Sequence, residues 1–520
     1  MSKAQLNVLK LANIVSVRDF GALGDDSNDD TSAIQAAIDS LDAVQGGTVF
    51  FPPGLYKITA GLTITKDFVH LLGDNVRGSA IRVQSDVGNV LTVEHETTPG
   101  TSYINGFSMS DLSIRARVEA TSGAALYLNK VQNAYLSNVS VEDFFGGILI
   151  AGGNAIYSTN LHIKSTRTAS PVSWSGVKSG SYFAKIVESA DGQTPTELFF
   201  TNFNWRRQDA VNYVQNGLIV NAVDGVWLNN GHIMGVDQAN LLVTPGAADA
   251  QITGIKCVGV WFDNNSAFGV KVTGDTSANF GDLELDACRF LTNTDSAVYV
   301  DATSTAFEGI RMTGGQIRKA GIYGAYLAGG LRHTFSGVDF GACNTTATAN
   351  AGGIGVIGGT DKVTVTGCTF DETASGVTAT SMIGVYVAAA ASSQVMVTGN
   401  SFDLTAADVS DASTSDANMY PSNITTRAAN ATTVTSSTLD ILQIGDVMRV
   451  SDGLNFNNVS SRWDGRQIVL DFAGASTVTH TGGLIELHGS TNFVAAAGDT
   501  LSLVYSAARA AWVETGRTVA

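Results

Sequence analysis

Polar and apolar positions in this 520-residue chain recur in a fixed nine-residue frame. The frame reads FSMSDLSIR from Phe107, AYLSNVSVE from Ala134, IYSTNLHIK from Ile156, LFFTNFNWR from Leu198, VWLNNGHIM from Val226 and IKCVGVWFD from Ile255. It continues from Leu283, Ile310, His333, Val363 and Val395, giving eleven rows on one plan. Positions three and eight are nearly always apolar, and position eight is often aromatic: Trp205, Phe262, Phe290, Phe340, Phe370 and Phe402. Position five is Gly, Asn, Asp or another small residue. Successive rows start 22 to 42 residues apart.

Alternation of period two specifies strands, and Gly or Asn at a fixed place specifies a tight bend between two of them. A third short apolar run follows many rows: GILI at Gly147, LLV at Leu241, GVKV at Gly269, AVYV at Ala297 and GVYV at Gly384. Three strands per repeat, in register, predict an all-β chain built as a right-handed single-stranded parallel β-helix over 17–403. The 3.6-residue period of a helical solenoid is absent. Lys164–Glu197, inside the longest step, reads as an extra coil or a side loop. The stripe Ile34, Ile38 and Leu41 predicts a short helix over Thr31–Leu41, N-capped by Asp30 or Thr31, that plugs the N-terminal end of the solenoid. Leu404–Thr438, rich in Ser, Thr, Ala and Asp, reads as a linker. From Leu439 to the C-terminus, hairpin-like runs predict an antiparallel β domain.

Composition narrows the function. Lys+Arg number 30 against 47 Asp+Glu, a net charge of −17, which argues against a nucleic-acid partner. No apolar run approaches the ~18 residues that span a bilayer, so no membrane insertion is expected. Met1–Leu11 has no apolar signal core, so synthesis in a cytoplasm without a signal peptide is expected. The four cysteines, Cys257, Cys288, Cys343 and Cys368, form no CxxC pair, and no metal or cofactor is expected.

The segment Val17-Arg18-Asp19-Phe20-Gly21-Ala22, then Gly24-Asp25-Asp26, Asp29-Asp30-Thr31-Ala33-Ile34 and Val49-Phe50-Phe51-Pro52-Pro53-Gly54-Leu55-Tyr56, closely resembles the entry segment of the pectate-lyase-like β-helix superfamily. The ending Ala497-Gly498-Asp499-Thr500-Leu501-Ser502-Leu503-Val504-Tyr505, with Trp512-Val513-Glu514 and Arg517, resembles the terminal β domain of phage tailspike depolymerases. The resemblance implies a homotrimeric viral tail protein that binds and cleaves a bacterial surface polysaccharide: capsule, exopolysaccharide or O-antigen. It implies trimerisation through 439–520, and attachment to a phage tail or baseplate protein through residues 1–16. An endo-glycosidase is expected ahead of a polysaccharide lyase or a non-catalytic receptor-binding fibre.

Outward positions are chemically richest between Leu198 and Ile322, whereas elsewhere they read mostly as Ser and Thr. Glycosidic cleavage needs two carboxyls, about 5–9.5 Å apart depending on stereochemistry. Rows ~4.8 Å apart bring two sets within that range. Asp237, Asp263 and Asp295 fall in the turns between second and third strands, while Glu284 and Asp286 share one strand face. Asn293-Thr294-Asp295 is faintly similar to the Asn-Thr-Asp of polygalacturonases, but the Asp-Asp pair, Gly-His-Gly and Arg-Ile-Lys of that family are missing. A lyase would instead use a base such as His232, Arg289 or Tyr299 beside a uronate carboxylate. Arg206, His232, Trp261, Arg289 and Tyr299 are the expected glycan-lining residues. Lys256, Glu284 and Arg311 fall in one column, where a plain salt-bridge ladder is the competing reading.

Overall fold

The structure is a computed structural model. It describes the chain except residues 1–12, 97, 99–101, 166–176, 208–213, 247–249, 264–266, 275–279, 303–306, 375, 380, 390–393, 414–416, 426–429, 432, 442–445, 461 and 520. Most of the segment proposed for virion attachment therefore lies outside the described residues. The chain divides into two compact units, Met1–Arg311 and Met312–Ala520.

In the first unit, strands of successive coils pair in parallel and in register. Ser108–Ser110 pairs with Tyr135–Ser137, then Tyr135 with Tyr157, Tyr157 with Phe199, Phe199 with Trp227, and Trp227 with Lys256. The third strands Gly146–Ala151, Lys178–Val187, Val214–Val220, Ala239–Val243, Phe268–Thr273 and Val298–Asp301 stack likewise in their own sheet. This is a parallel β-helix, as the repeat predicts. Position five of all eleven rows, from Asp111 to Gly399, is left-handed, with φ between 51° and 66°. That single residue turns the first strand into the second, which explains its Gly/Asn preference.

Position eight points inward throughout. Phe262 and Phe290 are fully buried and stacked with ring centres 4.9 Å apart. Burying each such ring stabilises the fold by roughly 1.5–3 kcal/mol. The long step adds no coil. Asn154–Ser165 pairs directly with Thr196–Thr201 and Asn204–Arg207, and Lys178–Val187 supplies the third strand.

The capping helix runs Thr31–Asp39 and buries Ile34, Ala37 and Ile38. Asp30 occupies its N-cap position without capping it through the side chain. The Asp30 carboxylate instead accepts the N–H groups of Leu23 (2.7 Å) and Gly24 (3.1 Å), tying the entry loop to the helix start.

The second unit, taken by itself, has coils of the same plan. Phe340, Phe370 and Phe402 stack internally, with ring centres 4.8 and 4.7 Å apart. The expected linker over 404–438 is corrected in part: Ala407–Asp411 pairs with Ile383–Val387, and Ile424–Thr425 pairs with Ser401–Phe402. The last coil escapes the apolar pattern because amides hold it. Asn400 Oδ1 accepts Cys368 N–H, Asn423 Oδ1 accepts Asn400 N–H, and Asn418 Oδ1 accepts Val395 N–H, so buried asparagines replace apolar stacking.

The terminal β domain is mixed rather than purely antiparallel. Gln467–Phe472, Thr500–Ser506 and Ala511–Thr518 pair antiparallel, but Val447–Val450 joins Gln467–Phe472 in parallel, and Ile485–Glu486 joins the last strand in parallel. Its own core contains Phe456, Leu470, Phe472, Leu501, Tyr505 and Trp512.

Candidate functional site

In-register coils set equivalent side chains ~4.8 Å apart, so each outward position forms a column up the solenoid. Position two of the first strand carries Tyr135, Tyr157, Phe199 and Trp227. Their rings stack nearly parallel, with centres 5.2, 5.0 and 4.6 Å apart. This ladder corrects the expectation that coils before Leu198 present mainly Ser and Thr. Its signal was present at position two of each row. Stacked face to face, the rings show solvent mostly their edges, so the ladder braces the sheet rather than offering flat platforms to sugars.

Above Trp227 the same column becomes charged. Lys256 Nζ lies 2.8 Å from Glu284 and 3.3 Å from Asp286, and Arg311 pairs with Glu284 at 2.7 Å and with Asp282. Hydrogen bonds that the Lys256 ammonium donates to Glu284 and then Asp286 hold it above its usual pKa. The alternative catalytic pair, Glu284 and Asp286, is thus incorporated in a cross-row charge ladder.

Position seven of the second strand aligns Asn204, His232, Trp261 and Arg289. His232 stacks on Trp261 with centres 4.8 Å apart, and the Arg289 guanidinium lies 4.1 Å from the same ring's centre. These neighbours come from the coils on either side, so both faces of Trp261 are covered and its edge is what a ligand meets. Arg206 and Asp263 share position nine, with Met234 between them in the register. Burial lowers the His232 pKa, partly opposed by Asp263 and reinforced by Arg206, so the ring is neutral near pH 7. Asp263 Oδ1 accepts the Thr292 hydroxyl at 3.2 Å.

Asp237 and Asp295 lie in the turns leading to the third strand. The Asp237 N–H donates to Val214 O (3.0 Å), and the Asp295 carboxylate accepts the Ser296 hydroxyl at 2.8 Å. Tyr299 stands on the third-strand sheet beside Phe268, with Lys271 Nζ 4.4 Å from the Phe268 ring centre and 5.5 Å from that of Tyr299. The second strand thus gathers His232, Trp261, Arg289, Asp263 and Arg206. Asp237 and Asp295 flank that face, and Tyr299 belongs to the next sheet. Among the described residues, no group of three or more His, Cys, Asp and Glu is placed to hold a metal ion. Among the same residues, no helix is long and apolar enough to cross a membrane.

Comparison with known proteins defines the class. Residues 14–109 match the family model described as rhamnogalacturonase A/epimerase, pectate lyase-like. The chain therefore carries a pectate-lyase-like segment within its parallel β-helix. A mannuronan C5-epimerase of Azotobacter vinelandii, AlgE1, is 37% identical over 123 residues, which is 22% of this chain and 9% of that protein. The chain thus matches less than a tenth of that relative's length. The A-module of the same organism's epimerase AlgE6 superposes with a TM-score of 0.50 at 18% identity, covering 79% of this chain and 99% of that one. The tailspike protein 3 of bacteriophage CBA120 superposes with a TM-score of 0.44 at 14% identity, covering 82% of this chain and 64% of that one.

Proposed function

We propose that this protein is a tailspike-type depolymerase that binds and cleaves a bacterial surface polysaccharide on the outer face of its second strands. The observation that carries this reading is the cluster of His232, Trp261, Arg289 and Asp263 on adjacent coils, with Arg206 below and Asp237 and Asp295 at its margin. The relative named for a reaction on mannuronan supports a polysaccharide substrate. Asp263, together with Asp237 or Asp295, acts as the acid and base of hydrolysis.

A second reading is elimination, favoured by one observation: a neutral imidazole, His232, in a column with Arg289 and near Arg206. Such a ring can take the proton beside a uronate carboxylate that the guanidinium groups neutralise. The proposal extends to a homotrimer assembled through 439–520 and docked to a phage tail or baseplate protein through residues 1–16. Light scattering at micromolar concentration tests the trimer, and a monomer refutes it. Reducing-end release from host polysaccharide tests cleavage, and absorbance near 235 nm reports the unsaturated product of elimination. Release without that absorbance supports hydrolysis. Binding without release leaves a receptor-binding fibre and overturns the enzyme assignment.

A further inference from the structure

A cavity of about 430 Å³ opens on the second-strand face, on the N-terminal side of the cluster just described and bordering its Arg206, lined by Val76, Arg77, Arg115, Asn138, Ser140, Glu142, His162 and Lys164. Its volume lies within the range of about 300–1,000 Å³ usual for small-ligand sites, but its lining is almost entirely polar. Three permanent cations face one carboxylate, in a chain whose net charge is −17.

The register explains the concentration of charge. Arg115 pairs with Glu142, and Glu142 with Lys164, so the three side chains rise as one column. Arg82 precedes Arg115 in that column, and Arg206 follows Lys164. Glu142 does not saturate its two cations. Arg115 Nε is 3.6 Å from Glu142 Oε2 and Lys164 Nζ is 3.7 Å from Oε1, beyond the ~2.7–2.9 Å of charge-assisted hydrogen bonds. The Arg115 Nε is buried and has no hydrogen-bond partner, and its Nη2 reaches Val76 O only at 3.4 Å. A guanidinium in this state seeks a planar two-oxygen acceptor.

We propose that this cavity is a second glycan site, one that binds a carboxylated sugar unit through Arg115, Arg77 and Lys164. The sugar carboxylate takes the edge of the Arg115 fork and the Lys164 ammonium. Asn138, Ser140 and His162 meet the hydroxyls. Burial, with Lys164 and Arg206 nearby, keeps His162 neutral and able to accept or donate such a bond. His162 occupies the same position-seven column as Asn204 and His232, so a chain held here runs along the column toward Trp261. The site is separate from the proposed cleavage residues, and its occupancy is measurable without turnover.

The test is equilibrium binding of oligomers of galacturonate, glucuronate and mannuronate to the full chain, each compared with its methyl ester. The ester keeps the sugar and removes the charge. At least one acid oligomer is expected to bind ten-fold or more tighter than its ester. Arg115→Ala and Lys164→Ala, made singly, are each expected to weaken that binding several-fold, with the fold checked by circular dichroism. Both side chains are partly exposed, and Lys164→Ala serves if Arg115→Ala disturbs folding. Equal binding of acid and ester, no binding of any oligomer, or unchanged affinity in both folded variants overturns the proposal. Inorganic sulfate competing as strongly as the oligomers would make this a general anion site and overturn the sugar assignment.

Discussion

The Arg289 guanidinium lies over the indole of Trp261, 4.1 Å from the ring centre, with His232 on the neighbouring coil stacked at 4.8 Å. A cation–π contact at such a partly exposed place contributes about 0.5–1 kcal/mol to stability. Arg289→Ala is therefore expected to leave thermal unfolding nearly unchanged while weakening glycan affinity several-fold. Titration with host polysaccharide beside a melting curve checks both. A large loss of stability with unchanged affinity would make the stack purely structural.

The five carboxylates separate by environment. Asp263→Asn, Asp237→Asn or Asp295→Asn is expected to lower turnover by roughly 10²–10⁴-fold for the true acid and base, with little change in binding. Glu284→Gln is expected to retain turnover, because that side chain serves Lys256 and Arg311. Reducing-end assays on folded variants decide. If Glu284→Gln or Asp286→Asn alone abolishes activity, the reactive face belongs on the first strand.

Ala287 occupies the left-handed bend with φ 51°, where neighbouring rows place Gly259 and Gly314. It is exposed, so its methyl group packs against little. The left-handed form costs an L-residue roughly 1–2 kcal/mol, part of which glycine's greater unfolded-state entropy offsets. Ala287→Gly is expected to stabilise the protein by about 0.5–1 kcal/mol in urea unfolding. A destabilised variant would contradict this account of the bend.

His333 is fully buried, and burial holds its pKa at about 4, against 6.5 for a free imidazole. A depressed histidine pKa means that the unfolded chain binds the proton more readily. Its contribution is intact above pH 6.5 and is lost as pH falls from there toward 4, amounting to about 3 kcal/mol. Urea midpoints measured between pH 7 and pH 4 should fall less steeply in His333→Gln than in the unaltered protein. Parallel slopes would contradict the assignment.

All four cysteines are buried and free. Burial pushes the thiols of Cys288 and Cys343 up to about 12 and that of Cys368 to about 11, and raises Cys257 too. Since the thiolate is the reactive form, native protein is expected to resist alkylation at pH 8, whereas unfolded protein takes up four labels.

The fold was legible because coil registration forces one inward apolar residue, often an aromatic such as Phe262 or Phe370, into the same place of every row. The last coil was not, because Asn400, Asn418 and Asn423 satisfy its backbone through amides and leave no apolar period. The site was only half legible. Counting outward residues finds His232, Trp261 and Arg289, and the ladder of Lys256, Glu284 and Arg311, but it cannot show that Trp261 has both faces covered. Arg115, Glu142 and Lys164 share position nine of successive rows, but the sequence does not show the cavity they line with Arg77 and His162.

The recurrent left-handed residue makes each turn of the solenoid an interchangeable cassette. Joining Val258 directly to Ala287 would excise one turn and bring bend onto bend, with alternation of inward and outward residues preserved. Recombination between coils can therefore lengthen or shorten the molecule in quanta of ~4.8 Å without disturbing its interior. Substitutions at outward positions alter the surface without changing length. Reach and surface chemistry are thus free to diversify independently, along different stretches of the same gene.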